Sequence, residues 1–155
     1  MNAQLADLYQ EIILRHHKSP HNCRALPEAS HRSQGRNPVC GDEVEIYLNI
    51  EGGHIRGVTF QGQACAITRA SASMLTEALL GKTTGEATAF AETLLKELRA
   101  ADQTPEAPAH LNGDLRALFA VGRFPARIPC ATLPWITLKA ALAGQPRTLL
   151  SPSAK

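Results

Sequence analysis

Three cysteines and one aspartate, Cys40, Asp42, Cys65 and Cys130, each stand at the edge of an ordered element, and four such ligands make one metal site. Thiolates favour zinc, copper(I) or iron–sulfur chemistry. In Asn37-Pro38-Val39-Cys40-Gly41-Asp42 the proline and glycine impose a sharp turn, in which Cys40 and Asp42 can point the same way. Arg127, three residues before Cys130, can supply positive charge to a site whose three thiolates, carboxylate and divalent cation sum to about −2. A zinc ion with four protein ligands is coordinatively full, and such a site does chemistry only when a ligand leaves. Each residue also has a plainer reading. A lone cysteine is most often a small core residue, Asp42 could cap a turn, and Arg127 could pair with a surface carboxylate. Cys23 has no partner at ligand spacing and reads as a free surface thiol. His16, His17, His21 and His31 read as solvated residues, with a supplementary ligand as the minor alternative for the His16-His17 pair.

The elements that must position these residues belong to a chain of 155 residues with 44% apolar content, enough for one core and too little for two comfortable domains. One domain is expected over residues 1–145, followed by a flexible tail over 146–155. A formal charge of +2 without a basic run argues against nucleic acid and leaves small molecules or proteins as partners. Acidic and polar residues interrupt the N-terminal segment where a signal core would lie, and no stretch approaches the roughly 20 apolar residues of a membrane span, so a cytoplasmic location is expected. In a reducing compartment the cysteines are thiols or ligands rather than a disulfide framework.

Leu5, Leu8, Ile12 and Ile13 recur at helical spacing until Ser19-Pro20, which predicts an opening amphipathic helix. Residues from about 20 to 42 show neither period and read as a long surface loop ending at the first ligands. Val44, Ile46, Leu48 and Ile50 alternate, Gly52-Gly53 offers a two-residue turn, and Val58 and Phe60 continue on a returning strand. Ile55 falls out of phase, which a bulge near Gly57 repairs. From Cys65 the period becomes helical through Ala78. Thr83 and Glu86 form a capping box for a helix with the stripe Ala87, Phe90, Ala91, Leu94, Leu95 and Leu98. Met74 and that stripe read as core. Pro105 and Pro108 mark a linker, Leu115, Leu118 and Phe119 a short helix, and Trp135, Leu138 and Leu142 a last helix that Pro129 and Pro134 force to start late or kink. The fold class expected is α+β, two-layer, with a small antiparallel sheet of about three strands packed on about five helices.

At this point the residues reach a family. The Asn37–Asp42 segment, Gly62-Gln63-Ala64-Cys65-Ala66-Ile67 leading into Ala70-Ser71-Ala72-Ser73-Met74, and Phe124-Pro125-Ala126-Arg127-Ile128-Pro129-Cys130-Ala131 resemble, in order, the three cysteine motifs of the IscU/NifU-N iron–sulfur assembly proteins. Two features resemble its SufU branch. Pro129 stands where the IscU scaffolds have a histidine, and Phe124–Ile128 stands where they have Leu-Pro-Pro-Val-Lys; the long segment between Cys65 and Cys130 also resembles a SufU-type insertion. The resemblance implies that Cys40, Asp42, Cys65 and Cys130 bind zinc, or a [2Fe–2S] cluster in scaffold relatives. It further implies a SufS-type cysteine desulfurase as partner, whose histidine displaces one thiolate from zinc so that Cys40 accepts persulfide sulfur for downstream iron–sulfur assembly proteins. Three functions are carried forward: a zinc-dependent, sulfurtransferase-like acceptor, a [2Fe–2S] assembly scaffold, and a structural zinc module that only mediates binding.

Overall fold

The computed structural model describes residues 2–104 and 106–150. Pro105 and the last five positions of the expected tail lie outside the described residues. Four α-helices, two 3-10 segments and a four-stranded sheet follow in the order α1 (Ala3–Lys18), β1 (His31–Arg36), β2 (Glu43–Glu51), β3 (His54–Gln63), α2 (Ala66–Ala78), α3 (Thr84–Arg99), 3-10 helix (Gly113–Arg123), 3-10 turn (Pro125–Arg127), α4 (Ile128–Leu142) and β4 (Arg147–Leu149). This is the expected α+β class, with one strand more than expected.

The hairpin forms as its alternation requires. Val44, Ile46 and Leu48 of β2 lie opposite Gly62, Phe60 and Val58 of β3, and all are buried except the glycine. Gly52 and Gly53 both adopt positive φ, as a two-residue type I′ connection demands. The register slips between Asn49 and Ile50, which pair with Gly57 and Ile55; the extra residue is Arg56, and this bulge returns Ile55 to the core, where it is fully buried.

The sheet order is β3-β2-β1-β4, and two of its strands depart from the sequence reading. Residues 31–36 are a strand rather than part of a loop, paired antiparallel with β2. Its inward positions are Ser33 and Gly35, so no apolar alternation announces it. Gly35 is required there because α4 crosses directly over it: a Cβ would meet Thr137 Oγ1 at 1.8 Å. The second departure is Arg147–Leu149, expected as tail, which adds to β1 in parallel, with Gln34 N–H donating to Pro146 O (2.9 Å) and Leu150 N–H to Arg36 O (2.9 Å).

Helix α4 packs across β1 and β2, and α2 packs against β3, α1 and α4. One apolar cluster joins these elements, with Trp135, Phe60, Ile46, Leu48, Leu75 and Leu98 among its fully buried members. Met74 and the α3 stripe lie in it as expected. The α3 capping box is present in both directions, Glu86 N–H to Thr83 Oγ1 (3.1 Å) and Thr83 N–H to Glu86 Oε1 (3.0 Å). Helix α1 packs Leu5, Ile12 and Ile13 against the core as expected and departs from its apolar reading at Leu8. Ala6, Tyr9 and His16 form its buried side while Leu8 is 49% exposed, since α1 turns toward α2 a face that includes polar residues with partners there. Helix α4 does not start late: Pro129 sits in its first turn, where no N–H is needed, and Pro134 lies inside it, so the Cys130 carbonyl has no i+4 donor.

Candidate metal centre

The site assembles where three chain segments meet. After β1 the chain turns through Asn37–Asp42, closed by Asn37 N–H to Asp42 O (2.9 Å), Gly41 N–H to Asn37 O (2.8 Å) and Val39 N–H to Asn37 Oδ1 (3.0 Å). Gly41 takes φ +80°, a left-handed conformation suited to glycine. At the far end of β3, Gly62 passes so close to β2 that a Cβ would lie 2.2 Å from Glu43 O. That approach brings the start of α2, with Cys65 as its N-cap residue, beside Asp42.

The Asp42 carboxylate is then held from both sides. Oδ1 accepts the Cys65 N–H (3.2 Å) and Oδ2 accepts the Thr68 hydroxyl (2.9 Å). Asp42 thus caps the start of α2 rather than its own turn, and does so with lone pairs to spare. Cys130 enters from the first turn of α4, itself locked to α2 because the Trp135 indole N–H donates to Ser71 Oγ (3.1 Å) and the Ser71 hydroxyl to Ala131 O (2.7 Å).

Among the described residues, Asp42, Cys65 and Cys130 bring their ligand atoms within 4.8 Å of one another. Tetrahedral zinc with bonds near ~2.3 Å needs ligand atoms about 3.8 Å apart, so this donor set, two thiols and a carboxylate, fits a metal such as zinc with small adjustment. Cys40 is exposed and lies outside that group. The turn closed around Asn37 leaves Cys40 exposed, apart from the three residues that converge.

The electrostatics follow from the convergence of the two thiols. The hydrogen bond from Cys130 lowers the Cys65 pKa to about 6 against the opposing effect of burial, with help from the Thr68 backbone N–H. Cys130 is pushed in the other direction, by the same hydrogen bond to Cys65 and by burial. The exposed Arg127 guanidinium is raised above its ordinary range by its hydrogen bond to Cys130 and then by the charges of Cys130, Cys65 and Asp42. It is thus the cation beside this cluster that the charge count asked for.

The remaining sequence candidates lie elsewhere. Cys23 is an exposed free thiol, as expected. His21 pairs with Glu77, and His31 Nδ1 meets Ser30 Oγ at 2.9 Å. His16 is not a solvated residue: it is 1% exposed, with Nδ1 at 2.7 Å from Ser73 Oγ and Nε2 at 2.7 Å from Asp114 Oδ2. None of these histidines joins the three-residue group. Thr68 was missed altogether; its place three residues after a helix-capping cysteine was the available signal.

With this geometry in view, the comparisons with known proteins are specific. Residues 8–144 match the NifU-like N-terminal domain family. The zinc-dependent sulfurtransferase SufU of Bacillus subtilis is 34% identical over 142 residues, covering 92% of this chain and 94% of that protein. The iron–sulfur cluster assembly scaffold protein IscU of Streptococcus pyogenes is 35% identical over 141 residues, covering 90% and 86%. A crystal structure from Fervidobacterium islandicum, described as a scaffold protein for the SUF system, superposes with a TM-score of 0.73 at 30% identity, covering 91% of this chain and 99% of that one. A NifU-like N-terminal domain from Brucella abortus shares the fold, with a TM-score of 0.75 at 20% identity. The chain belongs to the NifU-like N-terminal domain family, the IscU/SufU iron–sulfur cluster assembly proteins whose three cysteine motifs it resembles.

Proposed function

We propose that this chain is a zinc-dependent sulfur acceptor of iron–sulfur cluster assembly, taking persulfide sulfur from a SufS-type cysteine desulfurase in the cytoplasm and relaying it to downstream assembly proteins. The observation that carries the reading is the division of labour at the site. Asp42, Cys65 and Cys130 converge, while Cys40 stands exposed on the adjoining turn. A residue that must meet a partner's persulfide has to be reachable, and residues that keep a metal must not be.

Asp42, Cys65 and Cys130 would hold the zinc, with Cys40 as the exchangeable fourth ligand. Bound zinc would keep a ligating thiol deprotonated yet unreactive until another ligand replaces it. The released Cys40 thiolate then attacks the terminal sulfur of the desulfurase persulfide. A new S–S bond forms at Cys40, the partner's S–S bond breaks, and the partner's cysteine leaves as thiolate, so electrons balance without an oxidant. Arg127, cationic and exposed, would offset the negative charge of the incoming sulfur. The Bacillus relative's name supports the reading.

The Streptococcus relative's name supports a second one, a [2Fe–2S] scaffold built on the same four residues. Metal analysis, absorbance and desulfurase turnover on protein purified without oxygen separate the two. About one zinc per chain, no colour, and a stimulation of the desulfurase that Cys40→Ala abolishes are expected of the acceptor. Iron and sulfide with visible charge-transfer absorbance, stabilised by Asp42→Ala, would establish the scaffold instead.

A further inference from the structure

Thr68 is fully buried, yet its hydroxyl lies among the charged groups of the metal centre, 2.9 Å from Asp42 Oδ2 and 3.4 Å from Cys65 Sγ. A hydroxyl has one proton to donate. The carboxylate is both the nearer and the stronger acceptor, so the proton goes to Asp42. We propose that Thr68 is a positioning residue of the metal centre, which fixes the Asp42 carboxylate to the first turn of α2 so that Asp42 and Cys65 are presented to the metal as one preassembled pair. The assignment rests on the zinc reading above.

Two features make the bond more than a local cap. First, the two donors to Asp42, Cys65 N–H on Oδ1 and Thr68 Oγ1 on Oδ2, both come from the start of α2, so the carboxylate cannot rotate without breaking one of them. Each oxygen keeps a lone pair for a metal, while its orientation is set by the helix that carries Cys65. Second, a carboxylate ligand left to rotate on its own would meet the metal in many geometries, only some of which leave the site tetrahedral. Hydrogen bonds to ligating side chains are the usual remedy, and their loss weakens metal binding roughly 10–100-fold. Cys130, brought in by a different helix, would close on this pair.

The test is zinc affinity, measured by competition with a chromophoric chelator, in wild type, Thr68→Val, Thr68→Ser, Asp42→Ala and the double variant Thr68→Val/Asp42→Ala, alongside thermal melts of the metal-free proteins. Thr68→Val keeps the shape and removes the hydroxyl; it is expected to weaken zinc binding about 10–100-fold. Thr68→Ser, which keeps the hydroxyl, should restore affinity to within a few-fold. In the Asp42→Ala background the Thr68→Val change should cost nothing further, because the coupling runs through the carboxylate. Zinc binding by Thr68→Val as tight as wild type overturns the assignment, and so does an equal loss with and without Asp42. A metal-free Thr68→Val protein that melts far below wild type and is not rescued by serine also overturns it, in favour of a packing role. Wild type that holds no zinc brings down the sulfur-acceptor reading and this assignment together, an outcome separable from the affinity results above, which require tight binding in wild type.

Discussion

Helix α2 carries two polar clusters of similar ingredients that differ in what they leave unsatisfied. Midway along it, Ser73 Oγ meets His16 Nδ1 and accepts the His21 backbone N–H (2.8 Å), while His16 Nε2 meets Asp114, which also takes Arg15 (3.0 Å). Every polar atom named there has a protein partner. At the N-terminus of the same helix, Thr68 and the Cys65 N–H hold Asp42, but the two thiols of Cys65 and Cys130 have chiefly each other and Asp42 keeps unused lone pairs. A satisfied buried cluster ties elements together; one with spare donor capacity in a corner of three segments has room for a ligand. The first joins α1 and the long 3-10 helix to α2, and the second is the candidate metal centre.

The sharpest way to break this comparison is to remove a member of the open cluster. Structural zinc sites of four ligands bind with about 10–16 kcal/mol, which puts one ligand at about 2.5–4 kcal/mol. Cys65→Ala should therefore weaken zinc binding by about two to three orders of magnitude, read by chelator competition, while the metal-free protein keeps a melting temperature close to wild type. A large loss of metal-free stability in Cys65→Ala would mean that the two clusters do the same job. His16→Ala is the converse experiment. It leaves Ser73 and Asp114 without their shared partner and empties a fully buried position, so a loss of about 2–4 kcal/mol is expected. For a chain of this length that is a fall of roughly 4–16 °C in melting temperature. Zinc affinity of the folded protein should not move.

How much of this was legible beforehand differs between the clusters for a physical reason. Cysteines announce themselves, and Cys65 and Cys130 at helix starts with Asp42 at a turn were enough to mark the metal group. The exposure of Cys40 was not legible, because spacing gives proximity along the chain while the hydrogen bonds around Asn37 shape the turn that carries it. The closed cluster was illegible for a different reason. Its face of α1 is Ala6, Tyr9 and His16, correctly spaced for a helix, but an apolar count favours Leu8 and treats a histidine near a helix end as solvated. Whether a histidine is buried depends on Ser73 and Asp114, which lie 57 and 98 residues away in sequence. Strand β1 hid in the same way, since its inward positions are Ser33 and Gly35, and the glycine is needed only because Thr137 of α4 packs over it. The hairpin, its bulge and the α3 cap were legible because each is written in adjacent residues.

The smallest expected effect separates the clusters by pH. Burial opposes ionisation of Asp114, but the hydrogen bonds and charges of His16 and then Arg15 outweigh it and hold its pKa below the ordinary carboxylate value. A carboxylate whose pKa is depressed in the folded state adds stability that is fully present above its unfolded pKa, about 3.9, and is lost as pH falls through the folded value. The acid limb of the metal-free protein's stability curve should thus be less steep in Asp114→Asn than in wild type. The difference should be under about 1 kcal/mol, since Asp114 is part-exposed and its ion pairs are screened by solvent. Cys65→Ala should leave that limb alone: with a pKa of about 6, Cys65 is already protonated across the whole window in which Asp114 titrates. Urea denaturation of the three proteins between roughly pH 3 and pH 5 would check both statements. A Cys65→Ala acid limb that follows Asp114→Asn instead of wild type would show that the two ends of α2 are electrostatically one cluster.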